Sequence, residues 1–186
     1  MSDAIIVKNL SKALLIQFDR PEIRSPLSIF VLEELNEILG ENISENVIFT
    51  GNGDVFASGA DLREIAEVTS QTAPEFALRG QNLMKKIDER NAIAAVNGYC
   101  FGGALDLALA CKKRIASANA IFSHPGANLG IMTGWGGTQR LTRLVGEAAA
   151  LEMFLTAKRV SAAEALKIGL VDFVSTNPVE TALKLL

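Results

Sequence analysis

The sequence predicts an α/β protein whose sheet strands are connected mainly in parallel. Short apolar segments alternate with segments of helical periodicity along the whole chain. No repeat, linker or low-complexity segment interrupts this alternation. Apolar side chains make up 49% of the 186 residues, which is enough for one sizeable core. We therefore expect a single domain covering residues 1–186.

The first half of the chain contains three predicted strands and two long helices. The strands are "AIIVKNL" (4–10), "ALLIQFD" (13–19) and "NVIFTG" (46–51), because these short apolar runs are typical of buried strands. Ser28 is placed to cap a helix that continues to Leu39. Thr72 and Glu75 have the spacing of a capping box, and they predict a second helix ending near Glu89.

The second half repeats the alternation. Predicted strands are "AIAAVNG" (92–98), "RIAS" (114–117), "AIFSH" (120–124) and "LVDFV" (170–174). The apolar segment 102–111 predicts a buried helix, and segments 136–146 and 147–157 predict two helices separated at Gly146. Ser161 and Glu164 form a second capping-box pattern, and Gly169 is placed to end that helix.

Composition excludes several classes of function. The chain has 18 basic and 21 acidic side chains, so its net charge of −3 gives no basic surface for nucleic acid or an anionic membrane. The opening "MSDAIIVKNL" lacks the pattern of a signal peptide, and no apolar run is long enough to cross a membrane. We therefore expect a soluble cytoplasmic protein. A single His gives no metal site, and Cys100 and Cys111 are expected to be reduced core residues.

Two stretches share a strand–glycine–helix pattern, "VFASGADL" and "AAVNGYCFGGALDL". The first backbone N–H groups of a helix have no acceptor inside it and can bind an anion or a developing oxyanion. If the fold brings the two loops together, Ala60 and Gly103 could each offer an N–H to one oxygen atom, which is the arrangement of an oxyanion hole. The alternative is that both are ordinary strand-to-helix turns.

Four motifs in this order resemble the enoyl-CoA hydratase/isomerase (crotonase) superfamily. They are "FASGADL", "AAVNGYCFGGALDLALAC", "LGIMTGWGGTQRLTRLVG" and "LTAKRVSAAEALKIGLVD", and the resemblance extends from about residue 13 to 174. It implies a spiral of ββα units and an acyl-CoA thioester substrate, with coenzyme A only as part of that substrate and no bound cofactor or metal. It also implies an oxyanion hole at Ala60 and Gly103, and homotrimers or dimers of trimers.

The acid–base residues depart from the family pattern. Asp106 stands where hydratases carry a glutamate, on the helical face that contains the Gly103 N–H. It is the candidate acid or base, and the alternative is an acid that satisfies N–H groups in the first helical turn. Gly126 and Gly134 replace the acids that relatives carry further along. His124 is the candidate substitute because imidazole suits proton transfer near neutral pH, although a structural histidine is the alternative.

The resemblance also implies a set of residues that bind the substrate. They are Ala57, Gly59, Asp61, Leu62, Gly102, Gly126 and Trp135. Asp61 is also placed to cap a short helix. Trp135 is expected either to shape the acyl pocket or to pack beneath a helix.

These residues predict an acyl-CoA enzyme of the hydratase/isomerase type that is weak as a hydratase. An acid at position 126 is expected to raise hydration. Acyl-CoA decarboxylation, thioester hydrolysis, and a non-catalytic acyl-CoA binding or assembly role remain as alternatives. Relatives continue beyond "NPVETALKLL", so either this is a compact member that lacks most of the usual C-terminal helical region, or the sequence is part of a longer protein. An exposed apolar patch of Ala182, Leu183, Leu185 and Leu186 is expected to mediate self-association.

Overall fold

A six-stranded sheet forms the centre of the molecule. The computed structural model describes residues 3–41 and 45–186. In spatial order, the strands of this sheet are β1 (Ile5–Asn9), β2 (Leu14–Phe18), β4 (Asn46–Gly51), β7 (Asn91–Val96), β9 (Lys113–Ala116) and β12 (Phe173–Val174). Strands β1 and β2 are antiparallel, and the other four neighbouring pairs are parallel. The predicted α/β class with mainly parallel connections is confirmed.

Two smaller sheets lie beside the large one. The first contains, in spatial order, β11 (Val160–Ser161), β10 (Ile121–Ser123), β8 (Tyr99–Phe101) and β5 (Val55–Ala57); the second pairs β3 (Pro26–Leu27) with β6 (Gly59–Ala60). The sequence patterns did not identify β3, β6, β8 or β11, which have only two or three residues each. Strand β8 lies between β7 and the buried helix that begins at Gly103, so β7 does not lead directly into that helix.

The helices cover both faces of the large sheet. They are α1 (Ile29–Glu41), α2 (Leu62–Ala66), α3 (Ala73–Asp88), α4 (Gly103–Ala110), α5 (Gly137–Val145), α6 (Glu147–Thr156), α7 (Ala162–Lys167) and α8 (Pro178–Leu185). Two short 3-10 segments cover Pro21–Ile23 and Pro125–Leu129. Within residues 3–41 and 45–186, no helix is long and apolar enough to cross a bilayer.

Most of the predicted helix boundaries are confirmed. The hydroxyl of Ser28 accepts a hydrogen bond from the N–H of Val31 at 3.3 Å, and α1 begins at the next residue. The hydroxyl of Ser161 accepts from the N–H of Glu164, also at 3.3 Å. Helices α5 and α6 meet at Gly146, as the sequence predicts. Side-chain capping therefore marks the starts of α1 and α7, whereas a glycine separates α5 from α6.

The predicted capping box at Thr72 is wrong. Thr72 has helical backbone angles, with φ −95° and ψ −15°, and its side chain makes no cap hydrogen bond to α3. Its hydroxyl instead accepts from the N–H of Thr69 at 2.9 Å, and Glu75 pairs with Arg79 one turn further on. An N-cap side chain reaches back to its helix from an extended backbone, so a residue already in the helical region cannot make that contact.

The exposed C-terminal patch is also a wrong prediction. Ala182 is fully buried against the outer face of the large sheet, and Leu183 and Leu186 pack beside it. Only Leu185, at 40%, is exposed. The sheet residues that α8 covers are Ala13, Leu15, Ile48, Ile93, Ala95 and Ile115. Side chains alternate along a strand, so this face also needs a cover, and α8 provides it.

The main core lies on the other face of the large sheet. Helices α1, α3 and α4 contribute buried side chains there, and Phe18, Phe49 and Phe56 form its aromatic centre. Cys100 and Cys111 are free thiols buried in this core, as predicted. Burial raises the pKa of both thiols, that of Cys111 to about 12, so neither has thiolate character near neutral pH.

Candidate active site

A cavity of about 410 Å³ opens beside the N-terminus of α4. Much of its lining is apolar and comes from α2 and the turn after it, from α3 and from the segment 129–135: Leu62, Ile65, Val68, Phe76, Leu129, Ile131, Met132 and Trp135. Its polar side chains are Ser58, Asp106, His124 and Thr133. A mainly apolar cleft with a few convergent polar groups is the usual form of a small-molecule site.

The two strand–glycine–helix loops are in backbone contact. Gly59 has φ +91°, and a Cβ atom added to it would lie 2.7 Å from the backbone nitrogen of Gly103 and 2.6 Å from the carbonyl oxygen of Phe101. Ala60 and Gly103 both line the cavity. Gly103 is the first residue of α4, so its N–H has no acceptor within its own helix. The fold therefore brings the two loops together, as an oxyanion hole would require.

Asp106 lies in α4 and is completely buried. Its Oδ2 atom accepts a hydrogen bond from the hydroxyl of Thr133. Its Oδ1 atom lies 3.1 Å from Nε2 of His124. These two atoms are within ion-pair distance, but their alignment is poor and neither has a hydrogen-bond partner among the residues described. Both polar atoms are thus available to a third group.

His124 ends the extended segment after β10, directly before Pro125. Its ring is 4% exposed, and its centroid lies 5.0 Å from that of Phe154 in α6. Its backbone is extended, with φ −109° and ψ 90°, and its Nε2 atom reaches Asp106 of α4. The structure therefore places the two predicted acid–base residues side by side.

The glycines that replace the expected acids have different surroundings. A Cβ atom on Gly126 would lie 2.5 Å from the carbonyl oxygen of Ile131, because the N–H of Ile131 bonds back to the carbonyl of Gly126 at 3.0 Å. A Cβ atom on Gly134 would meet only the Cβ of Ala77, at an ordinary 3.5 Å. A side chain at position 126 therefore requires the turn to shift, whereas position 134 accepts one.

Trp135 both packs between helices and lines the cavity. It is 3% exposed, and its indole lies against the Cα atoms of Gly80 in α3 and Gly103 in α4, leaving no room for a Cβ at either position. Its ring centroid is 6.1 Å from that of Phe76. The indole thus closes the space between the two helices at the edge of the cavity.

Three of the residues expected to bind substrate do not line the cavity. Of that set, Leu62, Gly102, Gly126 and Trp135 line it, whereas Ala57, Gly59 and Asp61 do not. Asp61 caps α2 through the N–H of Arg63 at 2.9 Å, and it also pairs with the Arg63 guanidinium at 2.7 Å. The hydrogen bond from that guanidinium lowers the pKa of the Asp61 carboxyl.

Sequence analysis missed Thr133, whose hydroxyl contacts Asp106. The sequence offers one weak indication of it: Thr133 is the only residue with a hydroxyl group in the "IMTGWGG" segment, two positions before Trp135. It also missed Ser58 and most of the apolar lining, including Phe76 and Met132. These residues come from separate elements, and no local pattern marks them as neighbours.

Comparisons with known proteins show which family the chain resembles. The family model described as enoyl-CoA hydratase/isomerase matches residues 10–184. The short-chain-enoyl-CoA hydratase of Clostridium acetobutylicum is 40% identical over 177 residues, which cover 91% of this chain and 68% of that protein. The 2,3-dehydroadipyl-CoA hydratase of Escherichia coli is 38% identical over 192 residues, covering 97% of this chain and 73% of that one.

A solved structure extends the agreement to the fold. The enoyl-CoA hydratase from Bacillus anthracis superposes with a TM-score of 0.90 at 35% identity, covering 98% of this chain and 74% of that one. The chain therefore has the α/β crotonase fold and spans about 70% of the length of these relatives. On these grounds the chain belongs to the enoyl-CoA hydratase/isomerase family.

Proposed function

We propose that this chain acts on enoyl-CoA thioesters through a thioester enolate, with hydration or double-bond isomerisation as the reaction. The carbonyl oxygen of the thioester binds between the N–H groups of Ala60 and Gly103. The observation that carries this proposal is the backbone contact between Gly59 and Gly103, which brings both amides to one cavity. Asp106 lies one helical turn after Gly103 and faces the same space. Coenzyme A enters only as part of the substrate, and no resident cofactor is proposed.

Hydration in this site uses Asp106 and His124 together. The oxygen of a water molecule bonds to the β carbon, the electron pair of the double bond moves onto the thioester oxygen, and the two N–H groups stabilise that charge. The Asp106–His124 pair accepts the proton from water and returns one to the α carbon. The added water is thereby accounted for as OH on the β carbon and H on the α carbon.

Isomerisation needs fewer groups. Asp106 removes a proton from the α carbon of a 3-enoyl thioester, the same two N–H groups hold the enolate, and the proton returns at the γ carbon. One base is enough, because the proton that leaves is the one that returns. Among the residues described, Asp106 is the only carboxylate that lines the cavity, so this reaction makes the smaller demand on the site.

A non-catalytic acyl-CoA binding or assembly protein is the second candidate function. The observation that favours it is the presence of glycine at both positions 126 and 134, where the family resemblance implies acids. Decarboxylation, which generates the enolate by loss of CO₂ without a base, and thioester hydrolysis are further alternatives. Turnover measured on 2-enoyl, 3-enoyl and malonyl-type CoA thioesters distinguishes these activities, and binding without turnover would identify the non-catalytic role.

The test of the proposed function is Asp106→Asn, which keeps the shape of the side chain and removes its base. We expect kcat on enoyl-CoA to fall at least about tenfold, because general acid–base groups contribute about 10²–10⁴-fold. KM should stay within about twofold, because the oxyanion hole is untouched. Asp88→Asn is the control, since Asp88 pairs with Lys112 on the surface. Equal turnover in wild type and Asp106→Asn would assign Asp106 to a structural role.

We further propose that the protein self-associates as a trimer or a pair of trimers. Helix α8 no longer supports this idea, since it is covered by the sheet. The support comes instead from Leu151 and Leu155 of α6, which lie one turn apart and are 58% and 64% exposed. Sedimentation at micromolar concentration should show the assembly, and Leu151→Glu with Leu155→Glu should dissociate it. A wild-type monomer would contradict the proposal.

A further inference from the structure

The hydroxyl of Thr133 is bonded to one carboxylate oxygen of Asp106. The bond joins Thr133 Oγ1 to Asp106 Oδ2 across two separate elements, because Thr133 lies in the loop before α5 and Asp106 lies in α4. The Cα atom of Gly137 packs directly against Oδ1 and the methyl group of Thr133, with no room for a Cβ atom. The carboxylate is thus held from two sides.

The loop that carries Thr133 is itself fixed. Trp135, two residues later, is buried between α3 and α4. Gln81 of α3 donates its side-chain amide to the carbonyl of Gly134 at 2.7 Å. Arg140 of α5 donates to the carbonyl of Trp135 at 3.1 Å. These three contacts hold the backbone beside Thr133, so its hydroxyl has a defined position relative to Asp106.

The hydrogen bond from Thr133 makes the two carboxylate oxygens of Asp106 different: Oδ2 is bonded and Oδ1 is free. An aspartate can rotate about its last torsion and exchange its two oxygens, since that torsion has broad, roughly two-fold minima. With Oδ2 bonded to Thr133, rotation is restricted and Oδ1 remains 3.1 Å from Nε2 of His124. Among the residues that the structure describes, Asp106 Oδ1 and His124 Nε2 are the two buried side-chain nitrogen or oxygen atoms that have no hydrogen-bond partner. The free oxygen and the free imidazole nitrogen therefore lie next to each other.

We propose that Thr133 is a positioning residue for proton transfer by Asp106. It acts by binding Oδ2, so that Oδ1 is the oxygen that exchanges protons with the substrate beside His124. The effect of Thr133 on the reaction rate rests on the proposed function. The contact between Thr133, Asp106 and His124 can be tested without measuring turnover. The site thereby compensates for the short aspartate side chain with a hydroxyl from a neighbouring loop, which fixes the geometry of the reacting oxygen.

The kinetic experiment compares Thr133→Val with Thr133→Ser. Valine keeps the shape and loses the hydroxyl, so kcat on enoyl-CoA should fall at least about tenfold while KM changes less than about twofold. Serine keeps the hydroxyl and should retain kcat within about threefold of wild type. In the Asp106→Asn background, Thr133→Val should cause no further loss, because residues that act as one unit are not additive. Full activity in Thr133→Val, or additive losses in the double variant, would overturn the inference.

A second measurement separates failure of this inference from failure of the proposed function. His124 is the only histidine in the chain, so its imidazole nitrogens give a single set of NMR signals. The Nε2 signal should move in Thr133→Val and in Asp106→Asn and stay near its wild-type position in Thr133→Ser. A wild type that turns over no thioester would refute the proposed function, and the NMR comparison would still decide the inference. An Nε2 signal that is the same in Thr133→Val and wild type would reject it.

Discussion

Gly59 and Gly103 are in backbone contact, although one precedes α2 and the other begins α4. A Cβ atom on Gly59 would lie 2.7 Å from the nitrogen of Gly103, in a region where φ is +91°. This contact leaves little freedom in the distance between the N–H groups of Ala60 and Gly103. The close approach of the two glycines therefore contributes to the geometry of the proposed oxyanion hole.

Gly59→Ala should damage both stability and ligand binding. The substitution forces a side chain into a positive φ and against the Gly103 backbone, so the free energy of unfolding should fall by about 1–3 kcal/mol. Affinity for a non-reactive acyl-CoA, measured by calorimetry, should fall as well. Gly40→Ala in α1 is the control: nothing lies within 4 Å of the added Cβ, and alanine in a helix is favoured by about 0.5–1 kcal/mol. Wild-type stability in Gly59→Ala would contradict the contact.

An acid restored at position 134 should be accepted, whereas one at position 126 should not. Gly134 lines the cavity, and the Cβ atom of Gly134→Glu lies at an ordinary 3.5 Å from Ala77. Gly126→Glu places its Cβ 2.5 Å from the carbonyl of Ile131 and must displace the turn. We expect Gly134→Glu to keep the wild-type melting temperature and to raise turnover on 2-enoyl or 3-enoyl-CoA.

Gly126→Glu is expected from the sequence to raise hydration, but its new side chain collides with the carbonyl oxygen of Ile131, so the variant should be less stable. Its melting temperature should fall below that of Gly134→Glu in the same buffer. The comparison uses the same new side chain at two positions, so the difference reports the local backbone and not the glutamate. Equal melting temperatures would show that the turn between Gly126 and Ile131 can shift without loss of stability, and would contradict this prediction.

Asp61 should stabilise the protein in a pH-dependent way. Its pKa is lowered below the ordinary 3.8, chiefly by the hydrogen bond from the Arg63 side chain. A lowered folded-state pKa contributes stability above the unfolded pKa, and this contribution is lost as pH falls through the folded pKa. Asp61→Ala should therefore cost about 1 kcal/mol at pH 7, mainly as a lost helix cap. Denaturant unfolding should show the difference shrinking below pH 4, and a constant difference would contradict it.

Helix α8 should be essential to the outer face of the large sheet. Ala182→Asp places a charge in a fully buried position, and we expect it to lower the free energy of unfolding by at least about 2 kcal/mol. Leu185→Asp introduces the same group three residues later, where the side chain is 40% exposed, so it should change stability by about 0.5 kcal/mol or less. Equal effects of the two variants on urea unfolding would contradict the docking of α8.

The sequence by itself determined the features that depend on neighbours along the chain. Alternating apolar segments identified the strands of the large sheet, and the hydroxyls of Ser28 and Ser161 marked two helix starts. The spacing from Gly103 to Asp106 placed an acid one helical turn from a free N–H. These features follow from hydrogen bonds and side-chain periodicity within one element, which the residues of that element encode.

Only the tertiary structure decided which segments meet. The contact between Gly59 and Gly103, and the convergence of His124 and Thr133 on Asp106, join elements separated by whole helices and strands. Burial of α8 likewise depended on a sheet face assembled from strands distant in sequence. The physical reason is that parallel strands are joined by long crossover connections. Residues that share a cavity are therefore far apart in the sequence, and no local pattern marks them as neighbours.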